Sequence, residues 1–156
     1  MKKITYLAVL VGSILLINCK KEAVPEKSKL DLLTGRQWKI DKLLYSVKGD
    51  PTTLNYTSAV YKTCELDDVY EFKKNNIFIR TDGTNVCGSV ALYGPYGTSS
   101  WNIDSAFTSL TVELATLYIF KYKVVSISAA ALQMERLSVN YLQQEVLYTY
   151  FFKVAN

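Results

Sequence analysis

The sequence predicts an all-β domain: an antiparallel up-and-down β-barrel of about eight strands, preceded by one short helix. Three observations carry that expectation. Apolar and polar residues alternate with a period of two over much of the stretch from Arg36 to Phe152, as in strands with one buried face. Turn-forming residues such as Asp50-Pro51, Asp82-Gly83 and Gly94-Pro95 punctuate these runs, at roughly the 8–12-residue spacing of sandwiches and barrels. No strand–helix–strand alternation occurs, and the short turns favour a meander over Greek-key crossings. Closing a meander into a barrel also removes exposed edges.

Taken in order, Ser28 to Gly35 reads as the helix. Ser28 is placed to cap it, Leu30 and Leu33 share a face, and Gly35 is expected to supply a left-handed exit. Arg36 to Tyr45 sets Trp38, Ile40 and Leu44 on one face, with Lys42 out of pattern. The segment from Lys48 to Thr63 reads as a loop with a short edge strand. Tyr70 and Phe72 then share a face, and Lys73-Lys74-Asn75-Asn76 turns the chain into Ile77–Arg80, a hairpin signature. Both faces of that second arm are partly apolar, so its register stays open. Trp101 pairs with Ile103, and Leu110, Val112 and Leu114 alternate with Thr111 and Glu113. A long strand spans Tyr118 to Ile127, Leu132 and Met134 follow, and Val146, Tyr148, Tyr150 and Phe152 close the chain. A transmembrane barrel would need ~9–11-residue strands with an apolar outer band; most runs here read as shorter and polar outside.

The amino-terminal end speaks to location. Met1-Lys2-Lys3 precedes an apolar run from Ile4 to Ile17, broken only by Thr5, Gly12 and Ser13. A basic start and an apolar stretch of this length form a secretory signal, too short for the ~20 residues of a comfortable membrane span. Leu16-Ile17-Asn18-Cys19 resembles the lipobox of bacterial lipoproteins, although Asn18 stands where Gly, Ala or Ser is usual. The resemblance implies cleavage before Cys19 and acylation of that cysteine. Two or more acyl chains make a stable anchor. An ordinary signal peptide with an incidental cysteine is the alternative. Lys20 follows Cys19, not the aspartate that marks inner-membrane retention in proteobacterial lipoproteins, so the expectation is an outer-membrane lipoprotein. The chain divides accordingly into a lipoprotein signal peptide (1–18), a flexible tether (19–29) and a barrel domain (30–156).

The formal net charge of +4 includes Lys2 and Lys3, which leaves a weak balance and no basic stripe of the kind that binds nucleic acid. With Cys19 assigned to lipid, Cys64 and Cys87 remain as an even pair. In an exported chain a disulfide is the default inference, with two free buried thiols as the alternative. With no histidine and no CxxC pair, no metal site is expected. Neither GxSxG nor SxxK occurs, and no histidine is present to serve as a base, so no catalytic residue is assigned. No phosphate loop or cofactor motif is found. Glu65, Asp67 and Asp68 could be offered as a calcium site or an acid/base pair; a turn that hydrogen-bonds its own backbone is the simpler account.

Several stretches together resemble the small lipocalin-like domains of secreted and lipid-anchored Bacteroidetes proteins. They are Leu33-Thr34-Gly35-Arg36-Gln37-Trp38, Cys64 to Phe72 (CELDDVYEF), Asp82-Gly83 with Cys87, Trp101-Asn102-Ile103, and more loosely Tyr122 to Ser128 with Leu132. The resemblance spans roughly Leu32 to Lys153 and rests on order and spacing. It implies an up-and-down barrel in which Cys64 and Cys87 bridge neighbouring strands, and it implies no particular ligand.

An eight-stranded barrel is just wide enough to be filled by side chains or to hold one small ligand. The expected inward set includes Trp38, Tyr70, Phe72, Trp101, Met134, Tyr148 and Tyr150, with Phe152. Two readings follow. One is an aromatic-lined pocket for a small hydrophobic molecule, in a protein held to the membrane through Cys19. The other is a filled barrel serving as a structural or interaction module at the cell surface, with exposed members of the twelve tyrosines as its contact face and an unassigned protein as its partner.

Overall fold

Helix α1 (Lys29–Thr34) opens the described part of the chain. The computed structural model describes residues 28–87, 99–114 and 118–155. The signal peptide, Cys19, the tether as far as residue 27 and the Gly94–Gly97 turn lie outside the described residues. Ser28 and Lys29, the last two residues of the expected tether, already belong to the helix and its cap. The Ser28 hydroxyl accepts from the Asp31 amide at 3.1 Å, satisfying one of the open N–H groups of the first turn. Gly35 ends the helix, but not as a left-handed residue: its φ is −90°. Its amide donates to the Asp31 carbonyl at 2.9 Å, and a Cβ at Gly35 would lie 2.7 Å from that oxygen. Glycine is needed here for room.

Strand β1 (Gln37–Val47) follows, then the short β2 (Thr53–Asn55), helix α2 (Thr57–Val60) and a 3-10 turn at Thr63–Glu65. The hairpin of β3 (Val69–Phe72) and β4 (Phe78–Thr81) comes next. A run of strands completes the chain: β5 (Ser100–Ile103), β6 (Ser109–Leu114), β7 (Tyr118–Ile127), β8 (Ala131–Val139) and β9 (Glu145–Val154). All pairings are antiparallel, in the order β4-β3-β1-β9-β8-β7-β6-β5, with β2 added to β1. The two outer strands approach each other at a bridge between Ile77 and Ser100. There the Phe78 amide donates to the Ser99 carbonyl at 3.0 Å and the Trp101 amide donates to the Asn76 carbonyl at 2.9 Å. Eight strands therefore follow one another around a barrel in sequence order, with β4 and β5 touching rather than forming a ladder.

One end of the barrel is stoppered. α1 packs beside β3 and β7, and Leu33, fully buried, joins the core. The Trp38 indole donates to the Leu33 carbonyl at 3.1 Å, and the Trp101 indole donates to the Lys73 carbonyl in the β3–β4 turn at 2.9 Å. With Ile40, Leu43, Leu110 and Leu132 these rings form the core, each large side chain contributing about 1.5–3 kcal/mol through burial. Asn76, in that turn, takes a positive φ of 64°, which asparagine tolerates better than most residues.

Three expectations are corrected. Leu44 does not share the inner face with Trp38 and Ile40. A bulge between Ile40 and Lys42 inserts one residue and shifts the phase, so Leu43 turns inward, fully buried, and Lys42 turns out. The Cys64–Cys87 disulfide is present, with Cα atoms 5.4 Å apart, but it ties the 3-10 turn before β3 to the loop after β4, not two strands. Finally, β7 spans Tyr118–Ile127 as the sequence predicts, but β8 and β9 run 9 and 10 residues, longer than their alternating cores suggest. The outer face of β7 and β8 mixes Lys121, Lys123 and Glu135 with exposed Ile119, Val125, Leu137 and Val139. Among the described residues no helix is long and apolar enough to cross a membrane.

Candidate ligand-binding cavity

Inward residues alternate along each strand, so those of β3, β4, β6, β7, β8 and β9 converge on the barrel axis. Above the tryptophan-stoppered end they leave a cavity of about 690 Å³. Its apolar wall includes Phe72, Phe78, Val112, Leu114, Phe120, Met134 and Phe152, and its polar groups are four tyrosines, two arginines and a few charged residues towards the mouth. Exposed Val60, Lys62 and Asp82 border it, so the cavity reaches solvent at the end carrying α2, the 3-10 turn and the disulfide. The rings lie along the walls. Phe120 and Tyr122 follow each other on β7 with centroids 6.5 Å apart, and Tyr150 and Phe152 stack on β9 at 6.4 Å. Bulky residues at alternate positions therefore do not fill this barrel.

Of the side chains the sequence assigns to the pocket, Tyr70, Phe72, Met134 and Tyr150 border the cavity, as does Phe152. Trp38, Trp101 and Tyr148 are not among its lining residues. The two indoles spend their N–H groups on backbone carbonyls, and Tyr148 packs against Tyr45 and Tyr56 at 5.4 and 6.4 Å.

Several cavity residues escape the sequence reading. Tyr61, just after α2, borders the cavity beside Tyr70. Burial raises both phenols, that of Tyr70 to about 12, because a phenolate there would lose its hydration. Arg80 on β4 donates through Nε to Asp68 Oδ2 at 2.7 Å and through Nη2 to Glu65 Oε1 at 3.2 Å. Its guanidinium lies 5.6 Å from the Tyr70 ring centroid. Asp68 is only 2% exposed. Burial pushes its carboxyl up, and the Arg80 bonds oppose that rise.

The acidic run is thus more than a turn. Glu65 and Asp68 hold Arg80 against the cavity wall, while Asp67 Oδ2 accepts from the Asn85 amide at 2.9 Å. Gly83 lets that loop close in, since a Cβ there would lie 2.4 Å from the Asp67 carboxyl carbon. The pattern that hid these partners is distance in sequence: Arg80 is 12 and 15 residues from its two carboxylates.

Arg136 on β8 is the second arginine, and its surroundings differ. It lies over the rings of Phe120, Tyr148 and Tyr150 at 5.0, 5.3 and 6.0 Å. The alternation Leu132, Met134, Arg136 could have placed it inward from the sequence. Its charge is what sets it apart from the apolar residues that mark an inner face.

No protein-family model matches this chain, and no curated protein matches it. Among the solved structures that resemble it are two of bovine odorant binding protein. One is a complex of bovine odorant binding protein with a selenium-containing odorant, 11% identical, covering 84% of this chain and 75% of that one at a TM-score of 0.42. The other is a deswapped triple mutant of bovine odorant binding protein, 12% identical, covering 78% and 73% at a TM-score of 0.34. At these scores the likeness carries no argument about activity, and the architecture is read from the chain's own strand pairings.

Proposed function

We propose that this protein is a lipid-anchored envelope protein of the lipocalin-like kind that binds a small hydrophobic molecule inside its barrel. The observation that supports binding is the cavity itself: about 690 Å³, walled by aromatic and aliphatic side chains, within the usual range for small-molecule sites of roughly 300–1,000 Å³. A few tyrosine and arginine groups punctuate that wall, as in sites where polar groups orient an apolar ligand. The anchor rests on the leader and Cys19 alone, and the outer membrane is assigned from Lys20. No catalytic role is assigned.

One experiment addresses both parts. The full chain, purified from envelopes in a non-ionic detergent, is weighed by native mass spectrometry after exposure to a mixed lipid extract. The expected species begins at Cys19, carries the mass of its acyl chains, and retains one small molecule. Met134→Trp, which adds a ring to the cavity wall, should abolish retention while the disulfide and circular dichroism stay unchanged. A chain that still carries residues 1–18 without acylation overturns the anchor, and a chain that retains nothing overturns the binding role.

A second reading draws on the exposed apolar residues of β7, β8 and the β8–β9 turn, Ile119, Leu137, Val139, Tyr141 and Leu142. An exposed cluster of this kind marks a contact surface for a partner. Crosslinking in native envelopes tests it, and a clean result there removes it.

A further inference from the structure

The two cavity arginines have unequal surroundings. Arg80 is matched by Glu65 and Asp68. Among the described residues Arg136 makes no ion pair and no hydrogen bond, and its Nε is buried without a partner. A guanidinium cannot shed its charge to escape desolvation, and half-buried Arg136 has no counter-charge to offset what its buried Nε loses. The rings of Phe120, Tyr148 and Tyr150 attract the face of the cation, but among the described residues no acceptor meets its Nε–H. The guanidinium's in-plane N–H groups form a planar fork that suits two oxygens of one carboxylate or phosphate.

We infer that the cavity's ligand is a single-chain amphiphile with an anionic head, a carboxylate or a phosphate monoester, and that Arg136 binds that head. The inference rests on the binding role proposed above and names the ligand class. Arg136 lies two residues from Met134 on β8, and both border the same space as Val112, Leu114 and Phe120. A head held by Arg136 therefore has an apolar wall beside it for its chain. The head supplies the counter-charge, and an acceptor for the buried Nε, that the protein does not. Tyr150 and Tyr122, both lining the cavity with Arg136, bring hydroxyls to the same region.

The test is a competition read by native mass spectrometry on the full chain released from non-ionic detergent micelles. Palmitic acid, hexadecyl phosphate, hexadecan-1-ol and methyl palmitate are offered together. The unaltered protein should favour an anionic probe over the alcohol and the ester by at least about tenfold, the usual worth of hydrogen bonds to a charged group. Arg136→Met should erase that preference while keeping hexadecan-1-ol binding. The ratio of palmitate to hexadecyl phosphate then assigns the head. Should Arg136→Met fail to fold, acid against methyl ester on the unaltered protein decides the same point. Equal uptake of all four probes overturns the anionic head but leaves a hydrophobic binder. Uptake of none overturns the binding role itself.

Discussion

Tyr61 and Tyr70 show how a single residue's chemistry is set by what the fold places around it. Neither phenol is unusual in the sequence, yet burial raises both, and that of Tyr70 reaches about 12. A phenol whose folded value lies above the unfolded value of about 10 stabilises the fold fully below pH 10. That contribution is lost as pH rises towards the folded value. Alkaline titration followed at 295 nm should therefore show tyrosines that stay neutral at pH 11 and ionise together with loss of the near-ultraviolet dichroism. If every tyrosine of the barrel domain ionises near pH 10 with the fold intact, the burial of this pair is wrong. Arg80 teaches a related lesson. Its partners Glu65 and Asp68 look like a self-contained acidic turn until the β3–β4 hairpin brings the arginine back to them.

Among the elements, α1 and β1 depend on small departures from regular geometry. At Gly35 the Asp31 carbonyl occupies the space a Cβ would need, and both atoms belong to backbone that cannot swing aside. Gly35→Ala should cost about 1–3 kcal/mol in a urea denaturation, because the helix must unwind by part of a turn or the start of β1 must shift. An unchanged midpoint would mean that the helix end yields freely. The bulge in β1 near Asp41 performs a different task. It lets one eleven-residue strand bury Trp38 and Ile40 in one phase and Leu43 in the next, bending the strand as barrel walls require.

Taken as a molecule, the barrel is asymmetric along its axis. α1 and the two tryptophans stopper one end, while short elements and the disulfide frame the other. Closing a loop of 23 residues should stabilise the fold by about 3 kcal/mol on the chain-entropy estimate. Replacing both cysteines, Cys64→Ala with Cys87→Ala, should lower the unfolding free energy by about 3 kcal/mol and steepen its dependence on urea, because the unlinked unfolded chain exposes more surface. It should also loosen the mouth, because Cys87 borders the cavity, and amide exchange should accelerate around Glu65 and Gly83 more than in β8 and β9. Equal acceleration throughout would show that the bridge braces the whole barrel instead.

Period-two patterning by itself was enough for the strand inventory. β3, β5, β6, β7, β8 and β9 fall where the alternation puts them, because each has one face in the core and water on the other. The capping serine and the β3–β4 turn were equally legible, since their signals are local. Other features were decided only by the tertiary structure. The bulge in β1 leaves no local mark beyond a misplaced Lys42, and the closing contact between Ile77 and Ser100 joins segments far apart in the chain. Whether the barrel is filled or hollow depends on whether rings lie along the wall or across the axis, which is a matter of rotamers and strand tilt. Nothing in the sequence distinguishes Arg80 from Arg136. Only the folded barrel gives one of them two carboxylates and leaves the other with rings alone.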